Sequence, residues 1–579
     1  MKRNIVCFCT FLLSLSLSAQ VGVSGDYAEP TDSSTADAAQ WAAVTSGLHA
    51  SWASRDEHYS IHDVPALSMC TDTTLYAWRG ERIGMQAVLF SKTQTGAVSL
   101  SLSANKKALL SGSSARFVNY VLTDEHRGCG NNPNYNTENK YLVADVIDRP
   151  TTKTLAAMSA RPVWVNLEVP RDIKPGTYRV TLKVKETGGA TQQLRLSVVV
   201  GPRTLPEPKD YAFNLNFWMQ PYAASRYYKV SNWSQAHFDA LRPYMKMLAR
   251  AGQKVATAIL FYEPWGVQSN DKFEPMVETT KRTDGSWAFD YTVFDRWITF
   301  LDSCGIDRQI NCFSMVPWDM SFRYIDAATG EYANLTVKTT DEAYSELWTA
   351  FITDFAAHLK AKGWFEKTCI AMDERGLSDM LNAYNIAQAA VPGIKMALAG
   401  SYHKELVDKL YDYCVGYGET FTAEELARRD ARGWVSTTYT ACPDLEPNVC
   451  SNNDPADAAY LPVYAVANGF NGFLRWAWMN WTDDPLQDTR FKLFTAGDTY
   501  MVYPGARSSI RFERVIEGVQ QAEKIRLLRE EYAASGRKAD LDALNAAVET
   551  CKTTAPSKTS STAKLVNDLE RLLNEAAAH

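Results

Sequence analysis

Two textures of hydrophobic patterning divide the chain. From about residue 25 to residue 203, apolar and polar positions alternate in short runs, at 84–90, 163–169, 178–184 and 194–200. A period of two sends successive side chains to opposite faces of a strand. These runs therefore predict an N-terminal β-sandwich in which each sheet keeps one wet face. Lys-Pro-Gly at 174–176 and Gly-Gly at 188–189 supply turns between them. Three prolines between positions 202 and 208 then make a stiff, extended connector.

Beyond the connector, over 209–507, a short apolar run followed by an amphipathic stretch recurs eight times. The predicted strands are 213–218, 254–260, 309–315, 367–372, 395–399, 415–418, 434–440 and 472–480. Helices are predicted between them, among them 234–251, 341–362, 378–390, 403–413 and 455–468. The strand runs are too apolar to be half exposed, and eight such units predict a central (β/α)8 TIM-type barrel. An open doubly wound sheet fits less well, because no Gly-rich phosphate turn follows the first strand. Residues 508–579 predict a closing helix near 509–532 and a short helical C-terminal extension broken at 553–562. The fold class is thus multidomain, β followed by α/β.

The first 19 residues carry a different pattern. Lys2 and Arg3 precede an apolar run from Ile5 to Leu17, and small residues follow at Ser18 and Ala19. That order reads as a removable export signal, too short to span a bilayer comfortably. The mature chain is accordingly expected to be secreted or periplasmic, with no membrane span. Sixty basic residues against 66 acidic ones give a formal charge of -6, which offers no electrostatic reason to bind nucleic acid. Cys442 and Cys450 flank a short loop and could pair; Cys70 with Cys129 is a second possibility. No Cys/His cluster has metal-site spacing, so neither metal nor cofactor is expected. The sequence leaves the oligomeric state unknown.

Barrel enzymes of this kind place their chemistry at the C-terminal ends of the strands. The fourth predicted strand runs directly into Asp373 and Glu374. Neighbouring carboxyls cannot flank a scissile bond from opposite sides. They suit substrate assistance, in which a sugar's own 2-acetamido oxygen attacks the anomeric carbon. A plain alternative is that acids simply precede a helix N-terminus. Glu263 and Asp319, near the ends of the second and third strands, are the rival carboxyls for a two-carboxylate mechanism. Sixteen Trp and 28 Tyr give many candidate sugar-stacking rings. Trp218 and Trp318 lie near strand ends. Trp476 and Trp478 share one face of the eighth strand and either floor a sugar pocket or fill the barrel, and Asn480, at the mouth on the same face, is a candidate polar contact. Tyr417 and Tyr439, near the ends of the sixth and seventh strands, are candidate acetamide partners or structural phenols. Arg475 points the other way, as a structural ion-pair partner.

Several motifs, in this order, resemble glycoside hydrolase family 123, the β-N-acetylgalactosaminidases. They are RGERIGMQ (79–86) and PGTY (175–178), then MDER (372–375) and GFLRWAWMNW (472–481), with a Glu/Arg/Leu-rich run at 512–529. The resemblance implies a retaining exo-glycosidase releasing terminal β-linked N-acetylgalactosamine from glycans or glycolipids. Asp373 would orient the acetamide and Glu374 would be the general acid/base. A two-carboxylate glycosidase of other specificity and a non-catalytic glycan-binding protein are the competing readings.

Overall fold

The computed structural model describes residues 27–125, 128–130, 138–552 and 561–578. The export signal read at 1–19 and most of the break read at 553–562 lie outside them.

The N-terminal region is a sandwich of two five-stranded sheets. One runs Leu48–Ala53, Arg82–Ser91, Ser159–Glu168, Ser114–Thr123, Tyr141–Ile147 in spatial order. The other runs Asp72–Arg79, Thr191–Thr204, Gly176–Glu186, Ala97–Ala104, Thr152–Thr154. Ala87, Val163, Leu182 and Leu196 fill the space between them. The second sheet keeps its wet face, and burial alternates along Gly176–Glu186. The first does not: Ser159–Glu168 is buried at every position but the last. Its outer face is covered by the helix Ile510–Ala534, where Trp164, Tyr120 and Val118 pack with Ile510.

That helix is buried on all sides over its first four turns, charged residues included. Arg511 pairs with Asp145 at 2.9 Å, Arg514 with Asp56 at 2.6 Å, and Glu513 with Arg82 at 2.7 Å. Each partner sits on the sandwich. A buried charge without its partner costs several kcal/mol, so these pairs fix how the sandwich seats on the helix and, through it, on the barrel.

The barrel strands are Asn214–Phe217, Val255–Ile259, Gln309–Phe313, Thr368–Met372, Lys395–Ala399, Asp412–Gly416, Val435–Tyr439 and Gly472–Arg475, all parallel. The first pairs with the eighth, and Lys254 N–H donates to the Leu215 carbonyl at 3.0 Å to join first to second. Burial on both faces explains the continuous apolar runs.

Three elements differ from expectation. The sixth strand starts at Asp412, because a buried carboxylate there is held by Gln309 (2.7 Å) and Asn311 (3.1 Å) on the third strand. The expected helix 403–413 shrinks to the 3-10 turn Lys404–Leu406. The eighth strand stops at Arg475, not 480. Sequence periodicity also missed a four-stranded sheet built from the excursions after the second and third barrel strands: Glu278–Lys281, Trp287–Asp290, Ser321–Asp326 and Glu331–Thr336. Among the described residues, no helix is long and apolar enough to cross a membrane.

Candidate active site

The fourth strand ends at Met372 and delivers Asp373 and Glu374 to the rim of the barrel. There they line a cavity of about 400 Å³ with Trp218, Trp318, Tyr439 and Trp476. The two acids sit in contrasting surroundings.

Asp373 is only 5% exposed. One carboxylate oxygen, Oδ2, accepts the indole N–H of Trp318 at 2.9 Å. Its other oxygen, Oδ1, is buried and has no partner among the described residues. Burial pushes the Asp373 pKa up to about 7, opposed by the Trp318 N–H and the Arg375 charge and reinforced by the charge of Glu374. Glu374 is exposed to the cavity and accepts the phenolic O–H of Tyr439. Burial, then the Glu374 charge, raises the Tyr439 pKa, so the phenol stays a donor. Gly400, just past the fifth strand, makes room for this arrangement: a Cβ there would lie 3.3 Å from the Glu374 Cα.

The aromatic wall is fixed from behind. Trp218 stacks on Trp265 with ring centroids 5.2 Å apart. Trp476 donates its indole N–H to Asp498 at 2.8 Å, and Asp498 is held by Arg475 at 2.5 Å, both fully buried. The indole of Trp318 carries the Arg375 guanidinium 4.9 Å from its ring.

Three candidates lie outside the cavity. Tyr417 packs its ring 4.5 Å from Tyr464, on the helix side. Trp478 is fully buried against Tyr244 and Phe512. Asn480 accepts the Asn270 backbone N–H at 2.9 Å and so braces the loop that carries Val267 and Gln268 into the cavity. The shared cause for Trp478 and Asn480 is the early end of the eighth strand: alternation by two fails once the backbone leaves the extended conformation. Neither Glu263 nor Asp319 reaches the cavity. Glu263 accepts the Phe273 backbone N–H at 2.5 Å instead. Among the described residues, Asp373 and Glu374 are the only carboxylates that line it.

Sequence reading missed one whole wall. Cys129 and Gly130, on the sandwich, reach the cavity beside Leu493 and Phe494. A disulfide joins Cys129 to Cys442, 313 residues apart, and Gly130 N–H donates to the Leu493 carbonyl at 2.8 Å. The expected pairs Cys442–Cys450 and Cys70–Cys129 are therefore corrected; Cys70 and Cys450 are free thiols. Proximity in sequence favours a local pair, but the folded chain brings a sandwich loop against a barrel loop. Val267 is 71% exposed at the rim, an exposure that only the folded chain reveals and no local pattern signals.

Residues 218–528 match the catalytic domain of glycoside hydrolase family 123, and residues 52–186 match the N-terminal domain of the same family. A family 123 glycoside hydrolase from Clostridium perfringens superposes with a TM-score of 0.82 at 24% identity, over 92% of this chain and 97% of that one. A Bacteroides ovatus family 5 xyloglucanase (9% identity, 81% of this chain and 100% of that one) reaches a TM-score of only 0.29. Among curated proteins, none matches the chain significantly. The matched catalytic domain covers more than half of the chain and contains the strand end bearing the two acids, and on that ground the chain belongs to glycoside hydrolase family 123.

Proposed function

We propose that the chain is an exported, exo-acting, retaining β-N-acetylgalactosaminidase that uses the 2-acetamido group of its own substrate as the nucleophile. The observation that carries this reading is the acid pair itself. The cavity offers two adjacent carboxylates and, among the described residues, none facing them. Ordinary glycosidases need a second carboxyl across the scissile bond, and substrate assistance does not.

The chemistry follows from the two environments. The unpartnered Oδ1 of Asp373 accepts the acetamide N–H, which turns the acetamide carbonyl oxygen toward the anomeric carbon. That oxygen forms a bond to the carbon as the glycosidic bond breaks, and in the reactive form, with Asp373 ionised and the pair's one proton on Glu374, Glu374 gives that proton to the departing oxygen. The resulting oxazolinium carries positive charge, which the ionised Asp373 stabilises. Glu374 then removes a proton from water as the water opens the ring, and two inversions leave the configuration retained. Tyr439, donating to Glu374, holds that carboxyl toward the cavity. Trp218, Trp318 and Trp476 supply apolar faces for the sugar.

The galacto configuration is the reading that the family resemblance gives. The Clostridium perfringens relative, a family 123 enzyme described in terms of glycolipid glycan hydrolysis, supports glycolipid or glycan termini as the substrate. The apolar leader at 1–19 and the Cys129–Cys442 disulfide support an extracytoplasmic location, where disulfides persist. Aryl glycosides that differ only at C2 and C4 test the proposal. The 2-acetamido β-galactoside should be cleaved, and its 2-hydroxyl counterpart should be cleaved orders of magnitude more slowly. Equal rates on the two would remove the acetamide from the mechanism.

A further inference from the structure

A second cleft, larger than the catalytic cavity, lies where the sandwich meets the barrel. It measures about 560 Å³ and shares no lining residue with the catalytic cavity. Its barrel side includes Lys246 and Arg250, from the last turns of the helix Gln235–Arg250. That helix runs from the first barrel strand back toward the start of the second, so its C-terminus lies at the end of the barrel opposite Asp373 and Glu374. The cleft is therefore not a subsite of the cavity.

Its charge is uneven. Seven cationic side chains line it against four carboxylates, an excess of three on a chain whose formal charge is -6. Every one of those carboxylates is already engaged. Glu513 and Glu168 take Arg82 at 2.7 and 2.6 Å, and Arg250 adds a second contact to Glu168 at 2.8 Å. Asp148 takes Arg507 at 2.7 Å, and Glu207 takes Arg171 at 3.1 Å. Arg116, Arg149 and Lys246 are left, and none of them has a carboxylate partner among the described residues. Cations left over in a concave site focus positive potential there, because the protein walls on either side are low in dielectric, whereas the same charges spread over a convex surface do not. Neutral groups complete the lining: the Ser114 hydroxyl and the Asn166 carboxamide, with Tyr211, Pro208 and Pro243 as apolar faces.

We propose that this cleft is a second binding site for an anionic saccharide, one carrying two or more sulfate or carboxylate groups, which holds the enzyme on acidic glycans while the barrel works on a neutral terminus. Guanidinium forks suit both oxyanions in a bidentate fashion, and the mixture of amide, hydroxyl and apolar faces suits a sugar rather than a bare ion. Volume and position at a domain junction agree with a ligand of one or two sugar units.

The test uses the whole protein and probes without an acetamido group, so that the catalytic cavity does not report. Calorimetric titration is run with a sulfated galactose tetrasaccharide, its desulfated counterpart, tri-galacturonate and inorganic sulfate. The sulfated tetrasaccharide or tri-galacturonate should bind with a Kd below about 1 mM, weakening as salt rises, while the neutral tetrasaccharide should not bind measurably. Arg149→Glu and Lys246→Glu, both on exposed side chains, should each weaken binding at least tenfold, with cleavage of a small aryl glycoside unchanged. Three results overturn the proposal: no binding of either acidic probe, affinity indifferent to both substitutions, or inorganic sulfate binding as tightly as the saccharides, which would reduce the cleft to a small-anion site. All of them leave the acetamide mechanism untouched, so failure of the cleft proposal is distinguishable from failure of the mechanism.

Discussion

Replacing Asp373 by Asn should stabilise the protein at alkaline pH while sharply lowering its activity. Burial raises the Asp373 carboxyl from an ordinary 3.8 to about 7. Between those values the folded protein holds a proton that the unfolded chain has released, so by linkage stability falls as pH rises through the window. The loss is complete just above pH 7 and absent below about pH 4. A gap of about three pH units at about 1.4 kcal/mol each gives a ceiling of about 4 kcal/mol. An amide at this position does not ionise and lacks that slope, yet it can still accept the Trp318 N–H. Thermal unfolding of the two proteins, followed by tryptophan fluorescence from pH 4 to pH 8.5, reads the difference directly. The variant-minus-wild-type Tm should be near zero at pH 4 and climb to at most about +3 °C at pH 8, for a chain of this size. Groups common to both proteins cancel. A difference flat across pH, or an Asn variant less stable than wild type at pH 8, would refute the claim that a buried, charge-strained Asp373 is maintained at the expense of stability.

Other consequences are more local. Asp373→Asn should lower kcat by about 10²–10³-fold, the usual loss when a transition-state partner is removed, measured on an aryl 2-acetamido glycoside. Glu374→Gln should abolish turnover of natural linkages, which need a proton donor, while a product-like ligand still binds in calorimetry. Tyr439→Phe removes a hydrogen bond to a carboxylate worth about 1.5–3 kcal/mol, so kcat/KM should fall about 10- to 100-fold with the fold intact by circular dichroism. Cys129→Ser combined with Cys442→Ser opens a loop of 313 residues and should cost about 2–5 kcal/mol of stability. The same pair of changes frees the sandwich wall of the cavity, so KM should rise more than kcat falls.

What the sequence made legible depended on how local the determinant was. The barrel was readable because six of its eight strands announce themselves as short apolar runs of about the right length, and the eighth, though read too long, starts where it should. The sixth was misplaced because its first residue, Asp412, is a carboxylate buried on partners from another strand, which local patterning assigned to the end of the expected helix 403–413. Asp373 and Glu374 could be found because a strand-end rule needs only the preceding run, 367–372. The cavity around them was less legible. Trp478 and Asn480 were assigned to it by extending an alternation past Arg475, where the backbone turns away. Cys129, Gly130, Leu493 and Phe494 reach it through contacts hundreds of residues apart in the chain, and nothing in their neighbourhood betrays that. The buried helix Ile510–Ala534 shows the same limit: its charged side reads as solvent-facing until Asp145, Asp56 and Arg82 are seen to meet it.

The proposed mechanism turns on a nucleophile supplied by the ligand. Rates on aryl 2-acylamido-β-galactosides carrying none, one, two or three fluorines on the acyl methyl test it most directly, because fluorine drains electron density from the attacking carbonyl and scarcely alters its size. kcat/KM should fall steeply and monotonically, by orders of magnitude from acetyl to trifluoroacetyl. A series whose rates are indifferent to fluorination would mean that an enzyme group or water attacks the anomeric carbon, and Asp373 would then have no attacking acetamide to orient.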